Sequence, residues 1–147
     1  MQARAPLWLA ALWWGSLTTI GFLVVPLLFM HLPTPAMAGG MAAKLFAAQT
    51  WVSVVSGLLL LVLLKNDPNK PLDYASSAQA ATIFIVSGVL LAFLSEFVVA
   101  PRIVARENLR FWHTAGSVMY FLQWVCAALT LAKLTRTGQR SGRPEDI

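Results

Sequence analysis

Four separate stretches of this chain are apolar for long enough to cross a bilayer, and that repetition limits the fold more than any single motif. A membrane helix needs about 20 predominantly apolar residues, and the runs Leu7–His31, Ala43–Leu64, Ala78–Pro101 and Phe111–Leu134 each supply them. None shows the strict alternation of a β-barrel strand. Lipid offers no hydrogen bonds, so each run must satisfy its backbone internally, as a helix. The expectation is an all-α integral membrane four-helix bundle over residues 1–135, followed by a mobile basic tail over 136–147. Composition agrees: of 147 residues, 58% are hydrophobic and 12% charged, against about 25% charged in a soluble domain. An ordinary soluble domain, a disordered chain and a nucleic-acid-binding module are excluded. The net charge of +5 sits in links and ends, where it sets membrane orientation.

Between the runs lie a Pro/Gly-rich link (Pro33, Pro35, Gly39, Gly40), a polar link from Lys65 to Ser77 with Pro68 and Pro71, and a charged link from Arg102 to Arg110. Ala36-Met37-Ala38 resembles a signal-peptidase site, but the preceding apolar run is far longer than the 7–15 residues, roughly, of a signal-peptide core. Of the basic residues, Arg4, Lys65, Lys70, Lys133, Arg136, Arg140 and Arg143 share one side; Lys44, Arg102, Arg106 and Arg110 share the other. The positive-inside rule puts the first group, and with it both termini, in the cytoplasm of a bacterial inner membrane. Cys126 has no second cysteine in the chain to pair with.

Two short segments echo one another: Phe22-Leu23-Val24-Val25-Pro26 in the first run and Phe97-Val98-Val99-Ala100-Pro101 in the third. Each is followed by a basic residue ahead of the next helix, Lys44 and Arg110. A two-plus-two helix tandem repeat would produce this echo, and so would coincidence among apolar five-mers. Pro26 is expected to bend the first helix, since it removes a backbone donor and crowds the preceding turn. Pro101 is expected to end the third.

Helical spacing sorts the polar residues onto faces. Gln49, Ser53 and Ser56, with Gly57 beside them, fall on one side of the second helix; Gly88, Ala92 and Glu96 on one side of the third; His113, Ser117, Tyr120 and Trp124 on one side of the fourth, with Gly116 and Gln123 at its margins. Small residues let helix backbones approach, and hydroxyls and amides bond across such contacts. At about 1.5 Å of rise per residue, Gln49, Glu96, His113, Ser117 and Tyr120 reach similar depth near the outer face. They are expected to form one polar cluster, with Glu96 hydrogen-bonded to Gln49 or Ser117, and with Lys44, Arg102 and His31 around its mouth. Glu96 is the most informative member, because an intramembrane carboxylate usually marks a paired or functional site. A structural hydrogen bond or ion pair near the interface is its plainer explanation.

Trp14-Gly15-Ser16, Pro26-x-x-Phe29, Gly39-Gly40 with Phe46 and Trp51, the Phe97–Arg102 segment and Phe111-x-His113-x-x-x-Ser117 resemble the transmembrane protein 205-like family. Its bacterial members carry a domain of unknown function. That resemblance implies a four-helix multi-pass protein without an established reaction, and its eukaryotic members imply metal (platinum-drug) tolerance. The plan is more distantly similar to copper-resistance D and HemJ-type proteins, whose histidines imply haem or copper. The first helix here lacks an early histidine, and His31 falls at its opposite end.

No Cys-x-x-Cys, His-Glu-x-x-His, Walker loop or Gly-x-Ser-x-Gly elbow is present, so neither nucleophilic hydrolysis nor nucleotide use has support, and no cofactor is assigned. Three functions remain open. The first is an accessory or binding protein with a polar pocket near the outer face, partnered by lipid, a partner membrane helix or a second copy. The second is a cation- or proton-coupled transporter subunit using Glu96. The third is a haem- or copper-binding redox protein using His31 and His113.

Overall fold

The architecture is taken from a computed structural model that describes residues 5–65 and 72–140; every described element is helical. Helix α1 (Ala5–Thr18) passes through a π-helical turn at Thr19–Val24 into α2 (Val25–His31). Helix α3 (Pro35–Leu63) returns. Helix α4 (Leu72–Leu94) passes through a second π-helical turn, Ser95–Val99, into α5 (Ala100–Val104), and α6 (Leu109–Arg140) completes the bundle. Four of the resulting rods, Ala5–His31, Pro35–Leu63, Ala78–Val104 and Leu109–Arg136, are long and apolar enough to span a membrane. Their flanks carry exposed Leu12, Val55, Val62, Ile83 and Leu90, as expected of helices that are apolar all round and face acyl chains.

Element boundaries differ from the sequence expectation for local reasons. The second span begins at Pro35, not Ala43. Thr34 caps it, its hydroxyl accepting from the Met37 N–H at 3.2 Å, and Pro35 takes a first-turn position where its missing donor costs nothing. Gly39 and Gly40 are therefore helical. The last helix continues to Arg140, so the tail expected to be mobile from 136 starts as helix; residues 141–147 lie outside the described residues, as do Arg4 and the 66–71 stretch with Lys70. Pro101 does not end its helix. It occupies the first turn of α5, which runs to Val104.

The two π-helical turns explain how both prolines fit. A proline ring collides with the carbonyl four residues earlier in a regular α-helix. In each span the turn ahead of the proline is wider: the Val25 N–H bonds to the Ile20 carbonyl and the Ala100 N–H to that of Ser95, a five-residue step. The sequence echo thus has a structural counterpart.

The bundle is dry at one end. Ala10, Trp13, Leu17, Leu60, Leu64, Ala81, Ile85 and Ala127 form a buried apolar core near the end that carries both termini. Glycines admit the large side chains there: Gly88 lies against the Trp13 ring and Gly57 against Val89, and a Cβ at either would overlap its neighbour. At the opposite end the α5–α6 connection is a Schellman turn. The Glu107 N–H bonds to the Arg102 carbonyl and the Arg106 N–H to that of Ile103, both at 3.1 Å, with Arg106 in the left-handed region at φ 56°.

Candidate functional site

Above the dry core the four spans separate around a cavity of about 550 Å³. Its floor is a polar lattice that crosses three of them. Ser16 on α1 donates to its own helix, at the Trp13 carbonyl (2.9 Å), so its oxygen is left as an acceptor. The Gln49 amide donates to it at 3.0 Å and also approaches the Ser53 hydroxyl at 3.4 Å. Gln123 on α6 donates to the same Ser53 oxygen at 2.7 Å. Gln49, Ser53 and Gln123 are almost completely buried. The stripe on the second helix therefore faces inward as its spacing implied. On the fourth helix the buried polar position is Gln123, a residue that spacing had placed only at the margin.

The walls come from every span. The first contributes Gly21, Phe22, Val25 and Phe29; the second Gly39, Ala42, Phe46 and Thr50; the third Ser95, Glu96, Val99 and Ile103; the fourth His113, Gly116, Ser117 and Tyr120. Both π-helical turns take part, through Gly21 and Phe22 in one and Ser95, Glu96 and Val99 in the other. Single-turn π segments recur at functional sites because they redirect side chains that a regular helix would hold in register. Tyr120 fixes the first of these turns: its hydroxyl donates to the Leu17 carbonyl at 2.8 Å, its ring meets Phe46 edge-on, and it lies so close over Gly21 that no Cβ fits there. Beside it, the Trp124 indole N–H donates to Thr18 at 2.8 Å.

Five of the eight residues selected from sequence, namely Gln49, Glu96, His113, Ser117 and Tyr120, meet on this cavity. The hydrogen bond expected between Glu96 and Gln49 or Ser117 does not form. Gln49 is turned to the two serines below it, and the Ser117 hydroxyl donates to the His113 carbonyl one turn back. No other described residue engages the Glu96 carboxylate.

The other three residues do not line the cavity. Arg102 lies over the Trp112 ring, 4.4 Å from its centroid; the cation–π contact clamps α5 to α6. His31 turns its Nδ1 to the Leu27 carbonyl at 3.0 Å, and Lys44 is exposed. Among the described residues, no group of three or more His, Cys, Asp or Glu side chains is placed to hold a metal ion.

Two further polar atoms at the site are under-satisfied. The Gln49 Oε1 and the Ser95 hydroxyl are buried with no hydrogen-bond partner among the described residues. Ser117, Thr50 and Thr114 each return their proton to a carbonyl in the preceding turn; Ser95, which opens the π-helical turn, does not. Leaving such a group unpaired costs about 1–3 kcal/mol. Sequence reading passed over Ser95 because a serine beside a glutamate in an apolar helix carries no periodic signal.

A model of the family described as Domain of unknown function (DUF4149) matches residues 8–111. The matched stretch covers the first span from residue 8 onward, all of the second and third spans and both π-helical turns, and it stops just before His113. No curated protein and no solved structure matches the chain.

Proposed function

Because this chain belongs to the Domain of unknown function (DUF4149) family, we propose its role from the site itself: a small multi-pass membrane protein that binds an amphiphilic small molecule in the cavity between its four spans. One observation carries the reading. The helices close tightly around Trp13 at one end yet stand apart around about 550 Å³ at the other, within the roughly 300–1,000 Å³ range of small-molecule sites. Apolar walls with a few convergent polar groups are the usual form of such sites. The cavity would serve an accessory or binding protein, with both termini in the cytoplasm of a bacterial inner membrane, as the distribution of Lys and Arg implies.

Gly39 offers the test. It lines the cavity, sits in helix, and has open space where a Cβ would stand, so Gly39→Phe adds a ring at the cavity wall without a clash at its Cβ. Calorimetric titration of 4-phenylbutanol into the protein in phosphatidylcholine nanodiscs should show binding that Gly39→Phe abolishes. Binding unaffected by that substitution would refute the reading.

A second reading, transport by exchange of a proton or cation at Glu96, is favoured by the unengaged carboxylate on the cavity wall. It requires proton-coupled flux in proteoliposomes that Glu96→Gln stops. The likeness to the transmembrane protein 205-like family adds metal tolerance as a phenotype to score in cells carrying the same variants.

A further inference from the structure

Three polar groups left without partners at the cavity can each accept a hydrogen bond. Glu96 offers a carboxylate, Gln49 an amide oxygen and Ser95 a hydroxyl oxygen; none has a hydrogen-bond partner among the described residues. The orientation of the Gln49 amide is not arbitrary. Ser16, having given its proton to the Trp13 carbonyl, accepts from the amide nitrogen, as does Ser53, so the oxygen is the amide atom left over. Among the described residues, no Lys or Arg lines the cavity. At this end Arg102 is held over Trp112, and Lys44 is exposed. The site therefore sets one carboxylate beside two further acceptors, with the Ser95 hydroxyl and the His113 imidazole as its uncharged donors, under walls that include Phe22, Val25, Phe46 and Val99.

We infer that the ligand is an amphiphilic primary ammonium: a protonated amine that donates to Glu96, Gln49 and Ser95, carried on an apolar body. A primary ammonium has three N–H donors for these three acceptors. A carboxylate ligand would meet Glu96 with like charge, and a neutral hydrocarbon would leave all three acceptors unpaired. This inference rests on the cavity-binding reading above and names the ligand class for it.

The test compares three probes of one shape, 4-phenylbutylammonium, 4-phenylbutanol and 4-phenylbutyltrimethylammonium, by calorimetry in phosphatidylcholine nanodiscs. The primary ammonium should bind roughly ten- to a hundredfold tighter than the alcohol, the scale of a charged hydrogen bond, and tighter than the quaternary ion, which has no N–H. Glu96→Gln should erase the preference for the ammonium over the alcohol, while Glu96→Asp should keep part of it. Thermal unfolding of both variants, compared with the unsubstituted protein, separates loss of preference from loss of fold.

If the alcohol binds in a Gly39→Phe-sensitive way but the ammonium binds no tighter, the ligand class is wrong and the cavity reading stands. If no probe responds to Gly39→Phe, both fail. Equal binding of the quaternary and primary ions overturns the role of the N–H donors. Repeating the titration in phosphatidylethanolamine nanodiscs distinguishes the sources of such a headgroup. Competition assigns the site to the amine of a bilayer lipid, and its absence assigns it to a free amine; either accords with the ammonium site.

Discussion

Gly21 and Glu96 hold equivalent places in two different spans: each stands five residues ahead of a proline, inside a π-helical turn, on the wall of the same cavity. The equivalence follows from the proline chemistry, since a ring at Pro26 or Pro101 is accommodated by widening the turn before it. What the two positions carry is opposite. One is a glycine that lets Tyr120 close over it, and the other is a carboxylate without a described partner.

Gly21 should tolerate no side chain. A Cβ there overlaps the Tyr120 ring, and displacing that ring breaks the hydroxyl bond to Leu17. Gly21→Ala is expected to destabilise by about 1–3 kcal/mol, as overpacking does. Thermal unfolding in mild detergent reads this directly, with Gly39→Ala as the control because its surroundings are open. Equal midpoints for the two variants would contradict the close contact.

Ser53 joins the floor of the cavity by accepting from two glutamines. Ser53→Ala leaves the Gln123 amide buried without an acceptor, a loss of about 1–3 kcal/mol. In a Gln123→Leu background the same substitution should cost much less, because the stranded donor is gone. A double-mutant cycle gives the coupling. Strict additivity would mean that the two side chains do not interact.

Arg102 should matter to packing and not to ligand. Its guanidinium stacks on Trp112 at 4.4 Å, away from the cavity lining, and exposed cation–π contacts contribute about 0.5–1 kcal/mol. Arg102→Ala is expected to lower the unfolding midpoint slightly while 4-phenylbutanol affinity stays within twofold or so. A large loss of affinity would place Arg102 in the binding machinery after all.

Arg106 occupies the left-handed position of the Schellman turn, at φ 56°, where glycine is the usual residue. An L-residue there bears a backbone penalty on the order of 1 kcal/mol. Arg106→Gly should therefore raise the unfolding midpoint, and Arg106→Val should lower it. A stabilising Arg106→Val would rule out the strained conformation.

The four spans and the inward faces were legible in the sequence because both depend on local rules. Apolar length alone forces helices in lipid, and the spacing of Gln49, Ser53 and Ser56 or of Gly88 and Ala92 brings each set onto one side whatever the partners are. The shared depth of Gln49, Glu96, His113, Ser117 and Tyr120 was also readable, since helical rise is fixed. The echo around Pro26 and Pro101 marked two special places but not their form. Whether a proline kinks a helix, ends it or widens the turn before it depends on what packs against the freed backbone, and here Tyr120 from a distant helix meets the first widened turn. Partners were likewise undecidable from one helix at a time. Glu96 and Gln49 line the same cavity, yet Gln49 bonds to Ser16 and Ser53. Arg102 looked like part of the site's mouth until the α5–α6 turn brought Trp112 beneath it. Periodicity and length determined which residues could meet; helix packing, which sets distances across the bundle, decided which of them do.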